Sequence, residues 1–393
     1  METYLVGGAV RDKLLGLPVR ERDWVVVGST AEAMLALGYQ PVGKDFPVFL
    51  HPQTKEEYAL ARTERKTGPG YTGFETNAGP GITLEQDLLR RDLTINAMAE
   101  TADGELIDPY GGKEDLDNGL LRHVSPAFAE DPVRILRTAR FAARFAKWGF
   151  HVAHTTNKLM RSMVSNGEVD HLVPERVWAE LLKALATDNP TRFFKVLAAC
   201  GALETVFPEC MPLLKVEAEK SHGRADIELA ILQQAVTQSD DLAVRFAALM
   251  CDLDQGTAAG LDQQTLSALC DRHRVPNACR ELAVMAIQQR KQAQAADSLT
   301  AAQLLELLNT LDAFRRTDRF NQFLQVCTAD IHAKNGDFNS ARLQQALAVA
   351  QAVRAAELQK QGLAGKEIGA ALQQKRIQAI ENILRQDCQG SSD

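Results

Sequence analysis

The chain has 393 residues, 45% of them hydrophobic and 24% charged, with a formal net charge of −7. That length exceeds what one hydrophobic core usually holds, so two or more domains are expected; the acid excess excludes a globally basic nucleic-acid binder but leaves local basic patches open. The seven cysteines form no Cys-x-x-Cys pair, which favours reduced thiols over disulfides or structural zinc, and no apolar run approaches the ~18 residues of a membrane span. A cytoplasmic protein without membrane association is expected.

In chain order, residues 4–6 form a short apolar strand that opens onto Gly7-Gly8 and a helix start. Backbone N–H groups there face a site that only glycine lets an anion approach closely, so the turn is a candidate phosphate cradle. Two acids follow, Glu21 and Asp23, where the strand 24–27 begins. Alternation along a strand points both to one side, where they can share a hard divalent cation, so a triphosphate and Mg²⁺ are expected to meet here. Residues 46–50 and 57–61 read as further strands and 30–37 as a capped helix ended by Gly38, which makes an α/β head. Glu57 reads as an exposed strand acid. Residues 62–66 then run into a glycine-rich stretch, 67–74, with the composition of a mobile loop; a plain connection and a loop that closes on a ligand are both open.

Residues 87–99 carry Arg90-Arg91-Asp92, which by itself suits a solvated helix turn. Over 130–145 a helix is expected, with Pro132 in its first turn and acids before it at the positive end. Arg134, Arg137, Arg140 and Arg144 recur at three, three and four residues, so they line one face without acids at matching spacing. Such a stripe is a poor solvated face and a good phosphate rail. Beyond about residue 150 the pattern is nearly all helical, with amphipathic runs at 172–185 and 189–203, and Trp178 reads as core. Near the C-terminus, Gly362 and Gly365 precede a helical run with Lys366, Lys375 and Arg376, suited to a phosphate backbone or to helix packing.

Taken together, Gly7-Gly8-x-x-Arg11-Asp12-x-Leu14-Leu15-Gly16, the pair Glu21-x-Asp23, Arg90-Arg91-Asp92 and Glu130-Asp131-x-x-Arg134 resemble the signatures of the polymerase β nucleotidyltransferase superfamily, and specifically of the bacterial class II CCA-adding tRNA nucleotidyltransferases. The resemblance implies an α+β fold: a nucleotidyltransferase head with a mixed sheet over 1–127, a helical neck for nucleotide selection over 128–212, a helical body over 213–325 and a tRNA-binding tail over 326–393. It implies that Glu21 and Asp23 are catalytic and hold two metal ions, here Mg²⁺, although the family usually has aspartate at the first acid; the extra methylene of Glu21 can still chelate. Gly8 and Arg11 would touch the triphosphate, and Arg91 and Asp92 the triphosphate and ribose. Those roles suit a bidentate guanidinium and a carboxylate acceptor. Asp131 and Arg134 would read the Watson–Crick edge of CTP or ATP in place of a template, since a carboxylate accepts from the exocyclic amine that cytosine and adenine carry and uracil lacks. Arg137 and Arg140 would face the triphosphate. Relatives often use a third carboxylate near Glu57, and the 62–74 segment would close on the nucleotide.

The implied activity is template-independent addition of C, C and A to the 3′ end of tRNA from CTP and ATP, releasing pyrophosphate, with no obligate protein partner. Rival readings are a bacterial poly(A) polymerase, whose Gly-Arg-Arg-Phe run is missing from 42–49, and a non-catalytic tRNA-binding protein, which would not need all of these charged residues. Full CCA, CC-only and A-only addition remain open. One region departs from the resemblance. Some bacterial members carry an HD phosphohydrolase domain, but Cys251-Asp252 falls where its His-Asp pair belongs and Ala230 at another ligand position. Only His222 and Asp252 remain, so a helical remnant without a hydrolase metal is expected.

Overall fold

A computed structural model describes the chain except for residues 43–46, 67–73, 217–224, 258–259, 361–365 and 391–393. It forms two compact units, Met1–Ile227 and Glu228–Asp393.

The first unit begins with β1 (Glu2–Val6), α1 (Gly8–Leu14), β2 (Asp23–Val27), α2 (Ala31–Ala36), β3 (Gln40–Val42), β4 (Val48–Leu50) and β5 (Glu57–Leu60). With β8 (Ala99–Glu100) and β9 (Leu106–Ile107) these strands make a seven-stranded sheet in the order β3-β4-β5-β2-β1-β8-β9. It is mixed because β2 runs antiparallel to β1 but parallel to β5. The valine-rich strands are apolar on both faces. Val6, Val25, Ala97 and Ala99 pack with Leu84 and Leu88 of α3 (Leu84–Leu89), while Val26, Phe49 and Leu60 pack with Met34 of α2. Both helices are capped as their sequences suggest: the Thr30 hydroxyl accepts from the Ala33 N–H, and Thr83 with Gln86 forms a capping box.

Two expectations change in detail. The strand at 46–50 begins at Val48, with Phe46 outside the described residues. The segment taken as running into a loop carries a two-stranded antiparallel ribbon, β6 (Arg62–Lys66) with β7 (Phe74–Ala78), and residues 67–73 lie outside the described residues. A ladder is made by backbone groups, so an apolar period need not announce it.

After α4 (Gly112–Asp117), β10 (Leu120–Leu121) pairs in parallel with β11 (His151–Val152), tying the head to the helices that follow it. Between them runs α5 (Val133–Arg144), buried along most of its length. The unit continues through α6 (His154–Ser165), α7 (Pro174–Leu185), α8 (Thr191–Cys200), α9 (Ala202–Val206) and the pair β12 (Leu214–Val216) and β13 (Ala225–Ile227).

The second unit is helical: α10 (Ala230–Gln238), α11 (Leu242–Gly256), α12 (Gln263–Arg272), α13 (Asn277–Gln294), α14 (Ala301–Thr310), α15 (Thr317–His332), α16 (Ser340–Ala352), α17 (Ala355–Lys360) and α18 (Lys366–Gly390). Val244 to Leu253 of α11 are all buried, which makes it the central helix. Residues 361–365, with the two glycines expected to approach a phosphate backbone, lie outside the described residues, and Arg376 of α18 packs over the Phe314 ring. Cys200, Cys210, Cys251, Cys270, Cys279 and Cys327 are buried free thiols, and no helix is long and apolar enough to cross a membrane among the described residues.

Candidate active site

Register brings the first site residues together. Asp23 pairs with Val6 across β1 and β2, which sets it beside the turn that follows β1, and with Glu57 across β2 and β5. Paired residues on neighbouring strands stand about 5 Å apart on one face, so Glu57 is the acid next to Asp23 on the sheet. Glu21 precedes the strand by two residues, so the alternation argument does not reach it. Its charge nonetheless acts on Asp23, whose pKa is raised by burial and by Glu21 and lowered by Arg91.

Arg91 lies directly over the glycine turn. Gly7 has φ +68°, and a Cβ there would stand 2.8 Å from Arg91 Nη1, so position 7 needs glycine on both counts. The Arg91 fork is aimed by Asp87, fully buried, which accepts from Nη2 at 3.1 Å while Arg90 donates to the other carboxylate oxygen at 2.7 Å. The charges of both arginines outweigh burial and hold the Asp87 carboxyl below its usual range. Arg-Arg-Asp is thus no solvated turn.

Asp92, 6% exposed, accepts from the Leu93 N–H at 2.8 Å, Asn96 Nδ2 at 3.0 Å and Arg137 Nε at 2.7 Å. Burial opposes its charge, but Arg137 and Asn96 prevail and hold its carboxyl well below the usual range. Arg11, by contrast, is 3% exposed. It donates to Asp12 and to Asn96 and lies over the Phe141 and Phe145 rings at 5.0 and 5.2 Å. From there it supports the turn from beneath, with Nη2 3.4 Å from a Cβ at Gly8.

The arginines of α5 do line one face, but each has a partner. Arg134 donates to the carbonyls of Ala127 and Arg90 at 3.0 and 2.6 Å, Arg137 to Asp92, Arg140 to Glu180 of α7, and Arg144 to Asp12 at 2.8 Å. The acids missing from the helix's own spacing come from other elements, so the face is an anchored one. Asp131 accepts from the Val133 N–H at 3.1 Å, as a cap would, and takes the two-pronged fork of Arg176 at 3.1 and 2.8 Å. Arg176 and Glu180 sit one turn apart on α7, so α5 and α7 are clasped by two ion pairs.

Sequence reading missed the residues that hold others: Asp12, Asp87, Asn96, Arg176 and Glu180. Only the last two carried a local signal, an opposite-charge pair spaced four apart on an amphipathic helix.

In the second unit, Asp252 accepts from the Ile231 and Leu232 N–H groups at 3.0 and 2.8 Å, at the start of α10, whose first residue is Ala230. Burial pushes the Cys251 thiol up to about 12. His222 lies outside the described residues, and among the described residues no three of His, Cys, Asp or Glu stand together as a metal would need.

A mixed sheet thus carries acids beside an arginine-covered glycine turn, in the same unit as a helix of anchored arginines. The profile described as "Poly A polymerase head domain" matches residues 3–122, and "Probable RNA and SrmB-binding site of polymerase A" matches 149–214. Multifunctional CCA proteins of Thioalkalivibrio sulfidiphilus and Nitrosococcus oceani are each 54% identical across 98% of this chain and 98% and 99% of their own. The Bacillus stearothermophilus CCA-adding enzyme solved in complex with CTP shares the fold, with TM-score 0.67 at 20% identity over 97% of this chain and 89% of that one. The chain belongs to the bacterial class II CCA-adding tRNA nucleotidyltransferases, the family of these multifunctional CCA proteins.

Proposed function

We propose that the protein adds C, C and A to the 3′ end of tRNA, taking CMP and AMP from CTP and ATP and releasing pyrophosphate. The observation that carries this reading is the convergence of Arg91, the Gly7 turn and Asp23, beside a buried Asp92 kept ionised by Arg137. Two hard carboxylates at a solvent-accessible sheet end, one raised in pKa by burial and its neighbour, suit a hard cation that is completed by phosphate oxygens and water. Glu21 and Asp23 would hold two magnesium ions, whose chemistry there is to activate the RNA hydroxyl and neutralise the departing pyrophosphate.

The chain's own residues do the rest. Arg91 offers a guanidinium fork to the triphosphate over a turn with no side chain to obstruct it. Gly8 lends backbone to the same cradle, and Arg11 positions it from below. Asp92 accepts a ribose hydroxyl. Asp131 accepts the exocyclic amine of cytosine or adenine and Arg134 donates beside it, both already oriented by α7 and by backbone carbonyls. Arg137 acts by holding Asp92, and Arg140 by holding α7.

The test is incubation with tRNA transcripts ending before C, after C and after CC, with CTP and ATP supplied singly and together. Stepwise extension to CCA is expected. Asp23→Ala should abolish incorporation of both nucleotides while tRNA binding by gel shift persists; turnover near that of the unaltered enzyme would place the acid site elsewhere.

A further inference from the structure

Asn96 lies at the crossing of the phosphate and ribose parts of the site, 6% exposed, in the short turn Thr94–Asn96. Its side-chain oxygen accepts from Arg11 Nη1, its side-chain nitrogen donates to Asp92 Oδ1 at 3.0 Å, and its main-chain oxygen is 3.5 Å from Arg91 Nη1. The orientation of the amide is forced: a guanidinium can only donate and an ionised carboxylate can only accept, so oxygen must face Arg11 and nitrogen Asp92. Arg11 is itself fixed by Asp12 and by the Phe141 and Phe145 rings.

The carboxylate of Asp92 has about four acceptor positions. Leu93 N–H and Asn96 Nδ2 occupy those of Oδ1, and Arg137 Nε takes one on Oδ2. One position on Oδ2 is left, and Asn96 and Leu93 determine where it points. We infer that Asn96 is a positioning residue of the nucleotide site, its amide wedged between Arg11 and Asp92 so that the one open acceptor of Asp92 meets a single ribose hydroxyl. This rests on the reading of Asp92 given above. The phosphate cradle and the sugar contact are thereby one connected unit, from Gly8 through Arg11 and Asn96 to Asp92.

Asn96→Leu removes the donor to Asp92 without adding a carboxyl that would share a proton with it; Asn96→Ala, smaller, is studied beside it in case the bulk of leucine prevents folding. The measurement is kcat/KM for CTP and for dCTP on a tRNA ending before its first C. Because the bond lost is to a charged group, the preference for CTP over dCTP should fall about tenfold, with KM for CTP rising more than KM for dCTP. Equal losses with CTP and dCTP, or an unchanged preference in variants that melt like the parent, overturn the inference while the proposed activity stands. A parent enzyme that uses CTP and dCTP alike overturns the ribose reading of Asp92 itself, and this inference with it. Failure of CCA addition altogether would be seen first, with the unaltered protein.

Discussion

Asp23 is pulled in opposite senses: burial and the charge of Glu21 raise its pKa, Arg91 lowers it, and the net is upward. Only the ionised carboxylate holds a cation, so protons and Mg²⁺ compete for it. Activity should rise with pH along a limb displaced upward from that of an ordinary aspartate, and that limb should move to lower pH as Mg²⁺ is increased. Profiles of kcat/KM for CTP at two Mg²⁺ concentrations check this; a limb indifferent to Mg²⁺ would remove Asp23 from the cation site. Asp131 presents a different balance, because it caps α5 and takes the Arg176 fork as well. Asp131→Ala should damage selection of CTP and ATP over UTP and GTP more than triphosphate affinity, and an unchanged nucleotide preference would reduce it to a cap.

At the level of elements, the site depends on how α5 is held. The Arg140–Glu180 pair is almost wholly buried, with side-chain exposures of 10% and 7%. Breaking a buried pair leaves an uncompensated charge and costs about 3–5 kcal/mol. Glu180→Ala should therefore lower the melting temperature of the first unit by roughly 10 °C, since each kcal/mol moves a domain of this size by about 2–4 °C. A shift under about 2 °C by calorimetry would show the pair to be dispensable. The same clasp explains what the sequence disclosed and what it did not. Helical spacing revealed that four arginines share a face, because spacing is a property of one element. Their partners Asp12, Asp92 and Glu180 lie 132, 45 and 40 positions away, and no periodicity reports such distances. Strand register is similarly hidden: the family resemblance put a third carboxylate near Glu57, but that Glu57 stands directly across from Asp23 comes from the parallel pairing of β2 and β5.

Across the whole molecule, the second unit is organised around a buried guanidinium. Arg290 of α13 is fully buried and donates to Asp254 and, at 3.2 Å, to Asp330, which also takes Lys334 at 2.8 Å and Gln294 at 2.8 Å. A guanidinium, permanently charged and covalently attached, supplies the positive charge between these carboxylates. Asp252, the surviving acid of the expected ligand pair, is turned to the start of α10, and Cys251 beside it is a buried thiol. The unit should melt at the same temperature with and without EDTA, and the protein should show no 2′,3′-cyclic phosphodiesterase or phosphatase activity with Mg²⁺, Mn²⁺ or Ni²⁺. Arg290→Ala should unfold the second unit at markedly lower temperature, because Asp254 would lose its guanidinium partner and the buried Asp330 would keep only Lys334 as a cation, at a cost of about 3–5 kcal/mol. Hydrolase activity that disappears in Asp252→Ala yet persists in Asp23→Ala would show instead that a metal site survives there with other ligands.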